Sequence, residues 1–388
     1  MRAARTRITE LSDRYGLDVD PDALVEDLGV GDRQRVEILK VLYRGARVLI
    51  LDEPTAVLVP QEVDELFASL GGLRAEGVSV IFISHKLDEV LRVADRVTVL
   101  RQGTTVTTVD PKTVTPRQLA ELMVGSALPT PETRESTVTD VVELEVRDLT
   151  VRNPGGRPVV EDVSLQVRRG EVLGIAGVEG NGQVELVEAL LGLRAATGTV
   201  LLGGKELTRL STRERREAGI GYVPEDRHRQ GLLLSAPLWE NRVLGHQRRR
   251  PNRRGFWIDR RAARADTERI VREYGVKTPG VDVPAFALSG GNQQKLVIGR
   301  EMSGSPSLLV ASHPTRGVDV GAQAAVWDQI RAARRDGLAV LLVSADLEEL
   351  IGLSDSLVVM LRGRLVATLD PAQTTPESLG SAMTGAAA

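Results

Sequence analysis

The pattern of apolar and polar residues along the chain predicts an α/β protein. Short apolar runs lie at 48–51, 78–83 and 172–175, and each ends in a polar or glycine-rich turn. Runs of this length are typical of parallel strands that are buried on both faces. Between the runs, apolar residues recur at helical spacing, as at Val63 and Leu66, which indicates amphipathic helices.

Four blocks of sequence occur twice at one spacing. The pairs are Leu28–Arg35 with Leu288–Lys295, Leu49–Thr55 with Leu309–Thr315, Ser84–Val90 with Ser344–Leu350, and Ala94–Val97 with Ser354–Leu357. Each pair is 260 residues apart, as Pro54 is from Pro314. A shared offset without gaps indicates a duplicated domain, and the period is far longer than that of a solenoid repeat.

The segment Ser289, Gly290, Gly291 and Asn292 opens a predicted helix. A helix N-terminus favours negative charge, and glycines let the backbone approach an anion closely. This segment is therefore a candidate phosphate-binding signature. The first copy carries a damaged version in which Gly29 replaces the serine.

These motifs, in this order, resemble the ATP-binding subunits of ABC transporters. The resemblance rests on Asp-Glu-Pro-Thr at 52–55, on Ser84-His85 and on the signature. The tandem form is similar to the fused ATPase subunits of bacterial importers for nucleosides and sugars. Thr55–Glu62 and Gly180–Gln183 favour the nucleoside (basic membrane lipoprotein-associated) type. A monosaccharide importer is the alternative.

The resemblance implies an α/β fold of P-loop NTPase type, with ABC nucleotide-binding domains in tandem and the first incomplete at its N-terminus. Residues 1–125 would form the C-terminal part of the first domain. A Pro- and Thr-rich linker would cover 126–140, and the second, degenerate domain would cover 141–388.

Three residues of the first copy receive roles from the resemblance. Asp52 would bind Mg²⁺, Glu53 would polarise the attacking water, and His85 would contact the γ-phosphate of ATP. Without the resemblance, the same residues could be a helix-capping acidic pair and a structural histidine.

The second copy departs from this pattern. Ser312, His313 and Ala345 stand at the three equivalent positions, so we expect no hydrolysis by these groups. Its candidate phosphate loop consists of Gly177, Gly180, Asn181, Gly182 and Gln183, between a predicted strand and helix. Gln183 stands where the family has lysine. Weak, magnesium-poor nucleotide binding and a glycine turn without a ligand both remain open.

The offset also predicts what the first copy lacks. Subtracting 260 from Leu144 or Gly177 gives positions upstream of Met1, so the first strands and the phosphate loop have no counterpart. The expected explanations are a misassigned start or a truncated gene. A hydrolytic site would need that loop, together with the signature acting in trans. A non-hydrolytic remnant is therefore a further alternative.

Composition limits the kinds of partner that the chain is expected to bind. The net charge is −3, which gives no general attraction to nucleic acid, and no apolar run reaches the length of a membrane span. There is no cysteine, which excludes disulfides. The resemblance implies transmembrane permease subunits and, indirectly, an extracytoplasmic solute-binding lipoprotein as partners. It also implies a peripheral location at the cytoplasmic face of the cell membrane.

Two further stretches have alternative interpretations. Pro224–Arg227 lies where ABC domains carry a permease-facing loop, although an acidic turn is also consistent with it. An arginine cluster between Arg248 and Arg264 encloses Phe256 and Trp257. It could be a nucleic-acid surface, a solvated face or a permease contact. ABC ATPases of DNA repair are disfavoured because no sustained heptads separate Gly182 from Leu288.

Overall fold

The computed structural model shows a chain of two units. It describes residues 2–17, 19–25, 28, 30–55, 60–84, 86–101, 103–124, 136–255 and 257–384. The compact units are Met1–Leu128 and Pro129–Ala388. Most of the predicted linker lies outside the described residues. Its last part is bonded to the second unit, since the Thr139 amide donates to the Arg169 carbonyl at 3.0 Å.

The first unit alternates helices with short strands. Its elements are α1 (Arg2–Tyr15), α2 (Val30–Tyr43), β1 (Val48–Asp52), α3 (Pro60–Ala75), β2 (Ser79–Ile83), α4 (Leu87–Val93), β3 (Val97–Arg101), β4 (Thr104–Val109) and α5 (Pro116–Val124). β1 and β2 pair in parallel, and β3 and β4 form an antiparallel hairpin that turns at Gly103. A core of aliphatic residues that includes Leu11, Leu39, Leu49 and Leu70 joins the helices to β1.

The second unit is larger. Its elements are β5 (Val142–Arg152), β6 (Pro158–Arg168), β7 (Val172–Ala176), α6 (Gln183–Leu190), β8 (Thr197–Leu202), β9 (Lys205–Glu206), α7 (Thr212–Ala218), β10 (Ile220–Val223), α8 (Leu238–Val243), β11 (Arg253–Arg254), β12 (Trp257–Ile258), α9 (Arg260–Glu273), α10 (Gly290–Met302), β13 (Leu308–Ser312), α11 (Val320–Arg335), β14 (Ala339–Ser344), α12 (Leu347–Leu353), β15 (Ser356–Leu361), β16 (Arg364–Leu369) and α13 (Pro376–Thr384).

A six-stranded sheet forms the centre of the second unit. Its strand order is β10-β13-β14-β7-β15-β16, and all neighbours are parallel except β15 and β16. An antiparallel sheet of order β6-β5-β8-β9 lies beside it. β7, β13 and β14 are buried along their whole length, as the continuous apolar run at 172–175 predicts for β7.

The structure repeats at the offset found in the sequence. β1 and β13, α3 and α11, α4 and α12, β4 and β16, and α5 and α13 begin and end at residues 260 apart. Side-chain bonds repeat as well. The Gln34 Nε2 atom donates to the Pro54 carbonyl at 2.6 Å, and Gln294 Nε2 donates to the Pro314 carbonyl at the same distance. The two copies therefore share a backbone and part of its side-chain support.

The prediction that β1 and β2 are buried on both faces is wrong. Ile50 is 64% exposed and Ile81 is 50% exposed, whereas their counterparts Val310 and Leu341 are fully buried. In the second unit, β7 pairs with both β14 and β15 and belongs to the core that covers Val310 and Leu341. The described residues of the first unit contain no strand equivalent to β7. Its two sheets consequently stay separate and keep one apolar face open.

Within the described ranges, no helix is long and apolar enough to cross a bilayer.

Candidate functional site

The acidic pair of the first unit lies where β1 ends. Asp52 is the last residue of β1, and both Asp52 and Glu53 are exposed. Glu53 takes a left-handed backbone conformation with φ 49°. Its amide donates to the Ile83 carbonyl at 2.8 Å, at the end of the neighbouring parallel strand. The turn thereby presents both carboxylates at the C-terminal edge of the strand pair, where α/β proteins bind ligands.

The loop that follows the acidic pair is held by α4 and by Lys86, the residue immediately before this helix. The Thr55 hydroxyl is hydrogen-bonded to the Glu89 carboxylate of α4. Lys86 Nζ donates to the Thr55 carbonyl at 3.0 Å and lies 3.2 Å from a Glu89 oxygen. The backbone beside Glu53 is therefore fixed by side chains of the same unit. His85, the third predicted residue, lies outside the described residues.

The equivalent turn of the second unit has the same backbone and different chemistry. His313 replaces Glu53, has φ 46°, and donates its amide to the Val343 carbonyl at 2.7 Å. Its Nδ1 atom accepts a hydrogen bond from the Ala345 amide at 3.3 Å. Burial, opposed by the nearby Glu225 carboxylate, lowers the pKa of His313. A neutral imidazole held in this way can form hydrogen bonds, but it lacks the negative charge of the Glu53 carboxylate.

The glycine loop of the second unit connects β7 to α6, as the pattern predicts. Gly182 precedes α6 with φ 103°, and Gly180 has φ 89°. A Cβ atom on Gly182 would lie 2.6 Å from the Val159 carbonyl oxygen. Only glycine can take the left-handed conformation of residue 182 and also fit beside the Val159 carbonyl without strain.

Gln183 fills the space beneath this loop. Its side chain is buried, and its Nε2 atom donates to the Val178 carbonyl at 3.1 Å. A Cβ atom on Gly177 would lie only 2.3 Å from that nitrogen. The Gln183 amide is therefore bonded to the loop itself, and one of its two N–H donors is used there.

Asn181 ties the loop to the turn between β15 and β16. Its Oδ1 atom accepts from the Arg362 amide at 2.8 Å, and its carbonyl accepts from the Gly363 amide at 2.9 Å. Its Nδ2 atom donates to the Val178 carbonyl at 3.0 Å. These contacts use every polar group of the Asn181 side chain to fix the loop.

A cavity of about 220 Å³ lies at the loop. It is lined by Gly177, Glu179, Gly180, Gln183, Val184, Glu225, His313, Val343 and Ser344. The Arg316 guanidinium is bonded to Glu179 at 3.0 Å and also to Glu225. Two carboxylates against one guanidinium leave an excess of negative charge.

This site does not fit a magnesium nucleoside triphosphate. The carboxylates would repel phosphate. Among the described residues, no lysine lines the cavity, and Ser312 stands at the position equivalent to Asp52.

The signature residues open α10, away from this cavity. Ser289 caps the helix, and its hydroxyl accepts from Asn292 Nδ2 at 2.9 Å. Asn292 Oδ1 accepts from the Lys277 amide at 2.8 Å. A Cβ atom on Gly291 would lie 2.7 Å from the Ala322 Cβ atom. Among the described residues, the cavity lining includes none of the signature, so the structure does not bring the two predicted motifs together within this unit.

Arg227 makes contacts that the sequence did not predict. Its guanidinium donates to the carbonyls of Arg316 at 2.8 Å and Gly317 at 3.0 Å. A Cβ atom on Gly290 would lie 2.8 Å from Arg227 Nη2. Arg227 therefore joins the loop after β13 to the first turn of the signature helix. A single arginine in an acidic turn carries no pattern that predicts this contact.

Comparison with known proteins decides the family. The family model for ABC transporters matches residues 3–56 and 160–316, which is more than half of the chain. The chain belongs to the ABC transporter family. The ABC subunit predicted from the motifs is thus confirmed, as is its class, an ATP-binding ATPase subunit.

Three curated relatives match almost the whole of this ABC subunit. A nucleoside import ATP-binding protein of Lactococcus lactis is 43% identical over 99% of the chain and 76% of the relative's length. A guanosine import ATP-binding protein of Bacillus subtilis is 43% identical with the same coverage. A glucose import ATP-binding protein of Haloferax volcanii is 46% identical over 98% of the chain and 70% of its own length.

Solved structures agree on the cassette fold. A nucleotide-free ATP-binding cassette from an ABC transporter superposes with a TM-score of 0.52 at 21% identity, covering 63% of this chain and 95% of that one. At this identity the likeness shows the α/β cassette fold alone. Membership of a transporter family also implies a membrane permease as a partner.

Proposed function

We propose that this ABC subunit hydrolyses ATP to drive a nucleoside importer. The observation that carries the proposal is the match of nearly the whole chain to relatives named for nucleoside and guanosine import. The loop sequence Gly180–Gln183 favours the same branch. A monosaccharide importer is the second candidate, because the glucose import relative is slightly more identical.

The hydrolytic residues in this proposal are those of the first unit. Asp52 would hold Mg²⁺, which neutralises phosphate charge in such sites. Glu53 would orient the attacking water and accept its proton, and His85 would contact the γ-phosphate. Support comes from the fixed backbone of Glu53, which is bonded to the end of the neighbouring strand.

The signature would serve a nucleotide held by another copy of the domain. The Ser289 hydroxyl and the amides of Gly290, Gly291 and Asn292 lie at the start of α10, where phosphate is favoured. A phosphate loop is also required. The described part of the first unit has no strand–glycine loop–helix segment, and the loop of the second unit is filled by Gln183. These two observations favour a non-hydrolytic subunit as the competing function.

The proposed setting is the cytoplasmic face of the cell membrane. The chain would bind there through permease subunits, and a solute-binding lipoprotein outside the membrane would supply the solute. The specificity for a nucleoside would then lie in those partners rather than in this subunit.

ATP hydrolysis by the purified 388-residue chain tests the mechanism. We expect Glu53→Gln to lower the rate about 100-fold or more, the typical effect of removing a general base. His313→Gln is the matched control, since His313 occupies the equivalent turn 260 residues later. Equal rates for wild type and Glu53→Gln would support the non-hydrolytic subunit instead. Equal losses in Glu53→Gln and His313→Gln would contradict the assignment of hydrolysis to Glu53.

Uptake by the native cell tests the solute. Disruption of the gene is expected to abolish uptake of labelled guanosine and to leave labelled glucose and ribose uptake intact. Restoration by the wild-type gene and not by the Glu53→Gln gene would link uptake to hydrolysis. Loss of sugar uptake alone would assign the chain to a monosaccharide importer.

A further inference from the structure

The segment that connects α8 to α9, together with the start of α9, is strongly basic. Residues 248–264 contain eight arginines and one acidic residue, Asp259, which gives a charge of +7. The whole chain has a net charge of −3, so the rest of it carries −10, that is −3 minus +7. A local reversal of charge on this scale produces a positive surface potential on an acidic protein.

Three of the eight arginines make contacts within the fold, and one of these, Arg253, only donates its Nε–H to the Gly255 carbonyl at 2.5 Å. Arg249 Nη2 donates to the Arg216 carbonyl at 2.6 Å. Arg264 forms an ion pair with Asp282 at 2.8 Å and lies over the Trp239 ring. Six of the eight, Arg253 included, are exposed and have no ion pair in the described part of the chain; they are Arg248, Arg250, Arg253, Arg254, Arg260 and Arg261. Their charge is available to a partner.

The six arginines surround a short antiparallel hairpin, β11–β12. Arg254 pairs with Trp257, and Arg253 pairs with Ile258. Cross-strand partners share a face, so each face of the hairpin combines a guanidinium with an apolar side chain. Trp257 is 81% exposed, more than any other large apolar side chain in the described residues. Phe256, singled out in the sequence, lies outside the described residues.

The base of the hairpin is anchored. Asn252 is fully buried, and its carbonyl accepts from the Asp259 amide at 2.8 Å. Asp259 Oδ1 in turn accepts from the Ala262 amide at 3.0 Å and caps α9. At the tip, a Cβ atom on Gly255 would meet no atom within 4 Å. The hairpin therefore projects from a fixed base into open space.

We propose that the hairpin β11–β12 and the six exposed arginines around it bind an anionic phospholipid surface. Tryptophan favours the membrane–water interface, where its apolar ring and polar N–H are both satisfied. Arginines beside it gain from the negative potential of anionic headgroups. The proposal rests on the membrane location given under the proposed function. The hairpin would supply a direct contact with lipid in addition to the contact with a permease.

Charge distribution favours lipid over nucleic acid. A long nucleic acid would extend beyond the hairpin and meet residues of net negative charge, whereas a plane of headgroups touches only the projecting part. The exposed Ile258 also gains from an interface that has an apolar side.

The first experiment measures binding of the full chain to vesicles. One set contains phosphatidylcholine alone, and the other contains phosphatidylcholine and phosphatidylglycerol in equal amounts. We expect co-sedimentation with the anionic vesicles only, weakened by added salt. Of the three tryptophans, Trp239 is buried and Trp327 is half-buried, so a blue shift of fluorescence on binding would come from Trp257.

Variants locate the contact. The double substitution Arg253→Gln with Arg254→Gln is expected to weaken anionic-vesicle binding about 30-fold, which corresponds to about 1 kcal/mol per arginine near the surface. Trp257→Ser is expected to remove the blue shift. The matched control is Arg168→Gln with Arg335→Gln, which removes two exposed arginines elsewhere in the second unit and should bind as wild type does.

Three outcomes would overturn the proposal. The first is equal binding of the wild type to both kinds of vesicle. The second is an equal loss of vesicle binding in the control pair. The third is that the wild type binds an oligonucleotide and the hairpin variants do not, while the variants bind vesicles as the wild type does. ATP hydrolysis is measured on the same variants. Normal hydrolysis with lost vesicle binding supports the hairpin contact. A failure of the lipid proposal can thus be distinguished from a failure of the proposed ATPase function.

Discussion

His246 makes a sharp prediction about pH. It is buried in the second unit, and both of its ring nitrogens lack a hydrogen-bond partner among the described residues. Burial lowers the pKa of His246 to about 3, helped by Arg242, Arg216 and Arg249 and opposed by Glu301. The histidine is therefore held neutral inside the fold, whereas it is freely protonated in the unfolded chain.

The size of the effect follows from linkage. The pKa of His246 is about 3 in the folded chain and close to 6.5 when unfolded. Between these values the unfolded chain binds one more proton than the folded chain. The free energy of unfolding therefore falls as the pH falls below 6.5, by about 1.4 kcal/mol per pH unit. At about pH 5 the loss from this one group is about 2 kcal/mol.

The assay compares wild type with His246→Gln in urea unfolding followed by tryptophan fluorescence at several pH values. Glutamine cannot titrate, so the variant lacks this loss while other groups titrate in both proteins. We expect the stability of wild type relative to the variant to decrease steadily from pH 7 to pH 5. A constant difference across that range would refute the reasoning, because it would mean that His246 is protonated without unfolding the second unit.

Two further substitutions are paired with internal controls, and both are measured by urea unfolding. Gly182→Ala should destabilise the second unit by about 2 kcal/mol or more, because φ is 103° and the new Cβ atom would lie 2.6 Å from the Val159 carbonyl. Gly156→Ala, which has φ 77° but open space, should cost only about 1 kcal/mol, and equal losses would contradict the steric argument. Leu341→Ala should cost about 2–5 kcal/mol at a fully buried position. Its counterpart Ile81→Ala should cost less than about 1 kcal/mol at a half-exposed one, and a similar loss in both would show that the β1–β2 face is covered in solution.

The alternation of elements was predictable because its causes are local. The continuous apolar run at 172–175 predicts β7, and the structure buries this strand along its whole length. The duplication was predictable from spacing alone, because an unbroken offset of 260 residues preserves the bounds of matched helices and strands. The turn after β1 is an example, since Glu53 and His313 share a left-handed conformation despite their different side chains.

The state of the candidate sites depended on contacts that no motif describes. The sequence places Gln183 where a lysine would reach phosphate, but only the structure shows its amide bonded to the Val178 carbonyl. Arg316 joins Glu179 to Glu225 at the cavity. It is 137 residues from Glu179 and 91 residues from Glu225 in sequence, so no periodicity or motif could predict their contact.

The sequence by itself determined the strand–helix order, the duplication and the family of this protein, since these follow from residue patterns along one chain. Tertiary structure alone decided which apolar strands are covered. β1 and β13 have similar apolar sequences, yet Ile50 is largely exposed and Val310 is buried. The difference arises because a strand is buried by its neighbours, and among the described residues only the second unit has a strand, β7, in this neighbouring position.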